Sequence, residues 1–293
     1  MKRETAVTTM PATRTRRTSG ALRMTPGRSV ALAIGVPFAL VLIGWSAFSL
    51  VAGIGRASFP VSTSIPLQHG RLVASTGGGD ITVHQDQARS DKAQLIGTVQ
   101  YSLIRPRLTI NGDGLHLDCR LPTGNCGLSA TVDVPLNIVA VNLASEGGNM
   151  QVNGIDSDLT LNSGGGDVTV SGVGGIVNAS TGGGNVTVSD LTRTLQFATD
   201  GGDVNGNGLS SPQVTTESGG GNVTVAFTRA PVNLNITSDG GDITIVLPHG
   251  STRYAITYNT DGGDYSAPVP VSSSSGHAIN VQSGGGNVSI AES

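Results

Sequence analysis

The chain has 293 residues, 43 of them Gly, with only 3% aromatic and 13% charged residues. Gly at about twice its usual share beside so few aromatics excludes a large mixed α/β enzyme core, and the lack of a Gly-X-Y period excludes a collagen-like rod. The formal net charge of −3 hides a split: Lys2, Arg3, Arg14, Arg16, Arg17, Arg23 and Arg28 oppose Glu4 alone in residues 1–29, which leaves 10 basic and 19 acidic residues beyond. No basic surface remains for nucleic acid.

Residues 1–29, rich in Thr and Arg and poor in apolar residues, read as a disordered basic tail whose charges also attract anionic lipid headgroups. Val30 to Ile54 then runs for 25 residues without a charge. At 1.5 Å per residue such a helix exceeds the ~30 Å hydrocarbon thickness of a bilayer. The stretch is too long for a secretory signal peptide, and neither Val51-Ala52-Gly53 nor Arg56-Ala57-Ser58 makes a convincing cleavage site. Arg16-Arg17 lie too far upstream for twin-arginine export. Residues 30–54 are therefore predicted to be an uncleaved transmembrane helix in the plasma membrane. The positive-inside rule puts the N-terminus in the cytoplasm and everything past the span outside.

Residues 55–70 read as a linker and residues 71–140 as a β-rich cap. The cap contains strand-like runs at Gln94 to Ile104, Leu108 to Ile110, Leu115 to Cys119 and Ala130 to Val134, and a hairpin signal at Asn111-Gly112-Asp113-Gly114. Its two cysteines, Cys119 and Cys126, are the only ones in the chain. In an exported segment a close pair reads as a disulfide rather than a metal site, and Pro122, Gly124 and Asn125 favour the turn between them; a labile redox pair is the alternative.

From residue 141 to 293 one pattern dominates. Gly-Gly-Asx recurs with its final residue at Asp80, Asn149, Asp167, Asn185, Asp203, Asn222, Asp242, Asp264 and Asn287, and from Asn149 onward the intervals are 18, 18, 18, 19, 20, 22 and 23 residues. One and three residues after the Asx the chain is apolar, as at Val168 and Val170 or Ile243 and Ile245, with Thr, Asn, Gln or Ser between. Eight and six residues before it a second alternation appears, as at Leu159 and Leu161 or Leu234 and Ile236; Gly206 and Thr216 are exceptions to the columns. Two half-buried strands and two turns fill each period, so the fold class is all-β and the architecture a parallel β-solenoid in which equivalent strands stack about 4.8 Å apart. Gly-Gly-Asx is the corner: glycine permits close approach of the next winding, and the Asx side chain is expected to bond its own following amides. Longer periods near the end predict longer loops at the opposite corner, at Leu247 to Gly250 and Val271 to Gly276, where a partner is most easily read. The last edge is either covered by these loops or open to another β edge.

These repeats, the Val-Asp-Val-Pro lead-in at Val132 to Pro135, the upstream cysteine pair and the single N-terminal span together resemble a bacterial β-strand-repeat family of unknown function that carries an adhesin label, in its membrane-anchored actinobacterial form. The resemblance covers roughly residues 70–290. It implies a membrane-anchored envelope protein with a solenoid ectodomain, adhesive or envelope-stress-related in relatives, and it carries over no catalytic residues and no cofactor.

Chain order predicts that Asp239, Asp242, Asp261 and Asp264 stack as two acidic corners, which is a candidate Ca²⁺ site weighed against a solvated acidic edge. The calcium β-roll nonapeptide spacing is absent, which favours the solvated edge. Sequons such as Asn185-Val186-Thr187 and Asn222-Val223-Thr224 are products of the repeat. His69, His84, His116, His249 and His277 lie far apart and read as surface or cap residues. The favoured function is a displayed binding or adhesin-like module without catalysis, whose partner is an envelope or surface ligand or protein. An envelope-stress sensor is the first alternative. A β-helix polysaccharide enzyme is the second, and it is disfavoured because Arg193, Arg229 and Arg253 do not recur beside the acidic corners.

Overall fold

The computed structural model describes residues 56–112, 114–119 and 126–293. The basic tail over 1–29 and the transmembrane helix over 30–54 lie outside the described residues. Within them the chain is all-β. Strands β1 (Arg56–Pro66), β2 (Arg71–Thr76), β3 (Ile81–Gln85), β4 (Lys92–Ser102), β5 (Arg107–Asn111), β6 (Gly114–Asp118) and β7 (Cys126–Val134) come first. The regular repeats follow as β8 (Ala140–Ser145) with β9 (Met150–Asn153), β10 (Asp158–Ser163) with β11 (Val168–Ser171), β12 (Val177–Thr181) with β13 (Val186–Ser189), and β14 (Leu195–Thr199) with β15 (Val204–Leu209). The series continues as β16 (Gln213–Ser218) with β17 (Val223–Phe227), β18 (Asn233–Ser238) with β19 (Ile243–Leu247), β20 (Ala255–Thr260) with β21 (Tyr265–Ser266), and β22 (Ala278–Ser283) with β23 (Val288–Glu292).

Each winding gives one strand to each of two sheets, of twelve and eleven strands. Pairing is parallel and in repeat register: Val168 lies opposite Met150 and Val186, and Leu159 opposite Val141 and Val177. The apolar columns anticipated from the alternation are buried between the sheets, with Val170, Val188, Val225, Ile245 and Ile290 at 1% exposure or less. β-branched side chains suit this narrow interior because it is built only of pleated strands. At Gly206 the column is broken. Leu209, fully buried three residues on, points a Cδ1 to within 3.0 Å of where a Cβ on Gly206 would lie, and a register shift between Gly206 and Leu209 makes room for it.

Three expectations are corrected. The linker over 55–70 is mostly strand, since β1 pairs antiparallel with β4 along its whole length. The solenoid begins at Arg71 rather than residue 141: β2 and β3 stack in parallel on β8 and β9 as a full winding around the Asp80 corner. Strands β4 to β7 are an insertion between that winding and the next. Together with β1 they extend both sheets beyond it, with β7, β4 and β1 continuing from β3, and β6 and β5 from β2. β5 and β6 form the antiparallel hairpin expected at Asn111 to Gly114.

The third correction concerns stacking order. The windings do not follow chain order at the C-terminal end. β22 lies between β18 and β20, and β23 between β19 and β21, so the last repeat is inserted beneath the one that precedes it in sequence. The lengthened periods at the end are the crossovers this requires. One steps outward through Pro248 to Tyr254, and the other returns inward through Ala267 to His277. The chain end is fastened by Ser293 N–H donating to the Leu247 carbonyl at 2.9 Å and by His249 paired with Glu292 at 3.1 Å.

Among the described residues the hydroxyls of Thr76, Ser102, Ser157, Thr216 and Tyr254 are buried without a partner, and two of them bear on stability. Thr216 occupies a core column and is fully buried with its Oγ1 unpaired. Thr216→Val keeps the shape and removes the unpaired group, so it should stabilise the fold by about 1 kcal/mol and raise Tm by roughly 2–4 °C, as scanning calorimetry would show. Tyr254, in the outward crossover, is fully buried with its hydroxyl unpaired. Burial, reinforced by the Glu292 carboxylate, pushes its pKa above the ordinary 10.0. The folded chain therefore holds the phenol neutral where the unfolded chain ionises it, and stability falls as pH rises past the ordinary tyrosine value. Tyr254→Phe should flatten that alkaline loss in urea titrations run across this pH range; an unchanged slope would contradict it.

Candidate functional site

In every winding the strand of the eleven-stranded sheet ends at a Ser or Thr four residues before the Asx; Ser145, Ser163, Thr181, Thr199, Ser218, Ser238 and Ser283 are all buried and hydrogen-bonded, and Thr76 is buried with its hydroxyl unpaired. This column was not anticipated. The hydroxyl accepts the amide of the glycine three residues on, as Ser163 does from Gly166 at 2.9 Å and Thr199 from Gly202 at 3.0 Å. It also donates to a glycine carbonyl of the neighbouring winding, as Thr181 does to Gly166 at 2.8 Å and Thr199 to Gly184 at 2.9 Å. One side chain thus closes its own turn and ties it to the next. The glycine just before the Asx has no room for a side chain, since a Cβ on Gly166, Gly184, Gly221 or Gly286 would overlap the backbone of the winding below.

The Asx side chains do not bond their own following amides. Each Oδ1 accepts the backbone N–H of the Asx in the adjacent winding, and the eight bonds run unbroken along all nine corners at 2.7 to 3.0 Å. Asn287 N–H donates to Asp242, and Asp264 N–H donates to Asn287. In stacking order the corners are Asp80, Asn149, Asp167, Asn185, Asp203, Asn222, Asp242, Asn287 and Asp264. Asp and Asn alternate without exception. Adjacent carboxylates one winding apart would repel by roughly 1 kcal/mol even in water. Two windings apart, near the ~10 Å Debye length of 0.1 M salt, they are largely screened.

This order removes the candidate Ca²⁺ site. The Asp239–Asp242 and Asp261–Asp264 corners are separated by the Gly284-to-Asn287 corner, so the four carboxylates do not converge. Among the described residues no three His, Cys, Asp or Glu side chains gather as a metal site. Among the histidines, His69 sits in a turn at positive φ, His84 and His116 lie on β3 and β6, His249 pairs with Glu292, and His277 Nδ1 lies 2.7 Å from the Pro231 carbonyl. The sequon residues Asn185 and Asn222 are members of the ladder through Oδ1. Cys119 and Cys126 form a disulfide with Cα atoms 5.9 Å apart. It joins the end of β6 to the start of β7, and so links one sheet to the other beside the first winding.

The outward faces carry uncharged hydrogen-bonding columns. Thr169, Thr187, Asn205, Thr224 and Thr244 follow one another across one sheet, and Thr160, Asn178, Gln196, Thr215 and Asn235 across the other. Asn280 bonds Asn235 along the second column at 2.9 Å, and outward residues two positions further along the strands also bond winding to winding, Ser180 to Asn162 and Ser171 to Asn153 at 2.7 Å each. Such faces offer repeated donors and acceptors without acid–base pairs, a chemistry suited to binding.

A repeat of this kind defines a class, and the comparison with known families agrees: residues 116–291 match the Toastrack DUF4097 model. The chain belongs to the Toastrack DUF4097 family. Among solved structures it is similar to a "putative adhesin" from Bacteroides fragilis NCTC 9343, at 14% identity and a TM-score of 0.46 over 79% of this chain and 97% of that one. It is also similar to a "putative adhesin" from Parabacteroides distasonis ATCC 8503, at 12% identity and a TM-score of 0.35 over 78% and 97%. A "putative cell adhesion protein" from Clostridium sporogenes ATCC 15579 matches at 11% identity and a TM-score of 0.29 over 80% and 100%. None of the curated proteins matches the chain.

Asn287→Asp would place a carboxylate between Asp242 and Asp264, about 4.8 Å from each. It should lower stability by roughly 1–2 kcal/mol at low ionic strength. Thermal melts at low salt and at about 1 M, where the Debye length is near 3 Å, should show most of that loss recovered.

Proposed function

We propose that this chain is a single-pass, membrane-anchored cell-envelope protein that displays the β-solenoid outside the plasma membrane as an adhesin-like, noncatalytic binding module. The observation that carries the reading is the pair of outward faces, on which neutral Thr, Asn, Ser and Gln repeat winding after winding and, among the described residues, no acid stands beside a recurring cation. A surface of this kind meets a repetitive polar ligand or a partner β edge, and it lacks the paired groups that polysaccharide cleavage uses. Anchoring is supported by the uncharged run over 30–54, which ends at Ile54 just before β1 opens at Arg56, and by the excess of positive charge on its N-terminal side. The Cys119–Cys126 disulfide supports an exterior location, where such bonds persist.

Protease added to intact cells should digest residues 56–293 and leave residues 1–29 protected; protection of the repeats would overturn the orientation. The purified protein, presented in parallel with peptidoglycan, host matrix and antimicrobial peptides, should bind at least one saturably and leave it uncleaved. Release of fragments from a polysaccharide would overturn the noncatalytic reading.

A further inference from the structure

Four strands terminate the two sheets: β1 and β21 in one, β5 and β20 in the other. Open edges recruit other strands unless charge, proline or shortness blunts them. Three of the four are blunted. β1 contains Pro60 and Pro66, β5 follows Arg105-Pro106 and opens with Arg107, and β21 has two residues with Pro268 and Pro270 just beyond. β20, Ala255-Ile256-Thr257-Tyr258-Asn259-Thr260, has neither charge nor proline.

Its free side can be assigned from the ladder. Ala255 and Asp261 direct their N–H groups inward, to His277 at 2.8 Å and Ser283 at 3.0 Å. Backbone direction alternates along a strand, so Ile256, Tyr258 and Thr260 direct theirs outward. The returning crossover holds the chain just before β20: Tyr254 bonds Pro270 and Ser272 at 3.0 and 2.9 Å, and the Arg253 carbonyl accepts from Ser275 Oγ at 2.6 Å. Past that point the edge is open. Tyr258 is 49% exposed, with its ring stacked on Tyr265 at 3.6 Å.

We propose that this edge pairs with the same edge of a second copy, antiparallel about a twofold axis at Tyr258. Charge identifies the occupant. Exposed Arg253 precedes β20 and exposed Asp261 follows it, and the two lie at opposite ends of a neutral strand. In the antiparallel pair Ile256 faces Thr260 of the partner subunit, and Arg253 lies diagonal to Asp261 of the partner subunit, on the face that also carries Thr257 and Asn259. Diagonal cross-strand neighbours, about 7–8 Å apart, are within reach of an arginine. A parallel copy would instead set Asp261 beside Asp261 of the partner subunit. Growth into a filament is blocked because the β1 and β5 end is blunted, so the contact closes as a dimer. A contact of one short strand is well below the size of a standard interface, so the dimer is weak and reversible. The proposal goes beyond the anchored-module reading and does not depend on it.

Sedimentation of the full-length chain in mild detergent over a micromolar concentration range tests this. A reversible monomer–dimer equilibrium is expected. Arg253→Asp and Asp261→Arg should each weaken it about tenfold or more without lowering Tm. An equimolar mixture of the two variants should recover the dimer, because the two reversed charges then face each other and the two native ones do likewise. A chain that stays monomeric throughout overturns the proposal. So does a dimer indifferent to either reversal, a mixture that fails to recover, or an edge that captures only a foreign extended peptide.

Discussion

The close approach of successive corners is the constraint on which the rest of the molecule depends. Strands that pair in parallel and in register place every equivalent atom one strand spacing from its counterpart. At the corner that spacing is occupied by backbone, so the residue before the Asx has no side chain to spare, as the overlap between Gly184 and Gly166 shows. The next residue must then satisfy the amide of the winding above, and only a short side chain with a carbonyl or carboxylate oxygen at Oδ1 does so from this position. Gly-Asx follows from the stacking distance. The Ser or Thr four residues earlier completes the turn, because its hydroxyl can accept from its own winding and donate to a neighbouring one.

A ladder of acceptors at this spacing can be built from Asp or Asn, and geometry alone does not choose between them. Electrostatics does. An all-Asp ladder would hold like charges at contact, whereas alternation doubles the separation and brings it to the scale over which salt screens. The exchanged order of the last two windings belongs to the same logic. In chain order, Asp242 would meet Asp264 and Asp239 would meet Asp261. Inserting the Gly284-to-Asn287 corner separates both pairs at once, and the crossovers through Pro248–Tyr254 and Ala267–His277 are long enough to permit it.

Much of this was legible in the sequence, and what was not has identifiable causes. The two apolar alternations and the corners were readable because a buried strand face tolerates few exceptions, so Val168, Val186 and Val223 announce their column directly. The winding around Asp80 was hidden because the β4–β7 insertion sets its stacking partner Asn149 69 positions further along the chain, which breaks the period. β1 shows only in the short alternation from Phe59 to Ile65, where polar Thr63 holds one of the inward positions, and so reads as a linker. The Ser/Thr column was present four residues before every Asx but is polar, and a search for apolar periodicity passes over it. The exchanged order also left a trace, since the Asp and Asn corners alternate throughout only if Asn287 stands between Asp242 and Asp264. Chain order instead implies a convergence of carboxylates, which the structure removes.

The composition of the winding that ends the stack gives an independent sign of the same exchange. A winding with neighbours on both sides buries its four core positions completely, as Ile279, Val281, Val288 and Ile290 do at 1% exposure or less. A winding at the end is covered on one side only, and small aliphatic side chains there would leave the seam open to water. At the equivalent positions the winding of β20 and β21 carries Ile256, Tyr258, Tyr265 and, just past β21, Ala267, all partly exposed, and the two tyrosine rings stack nearly parallel, 4° apart, across the end of the core. Tyrosine suits that place because it offers a broad apolar face and a hydroxyl that tolerates water. The last repeat in the sequence therefore has the composition of an interior winding, and the one before it has the composition of an end. The two departures from the column pattern, Tyr for aliphatic at 258 and 265, mark the physical terminus of the stack where the chain terminus does not.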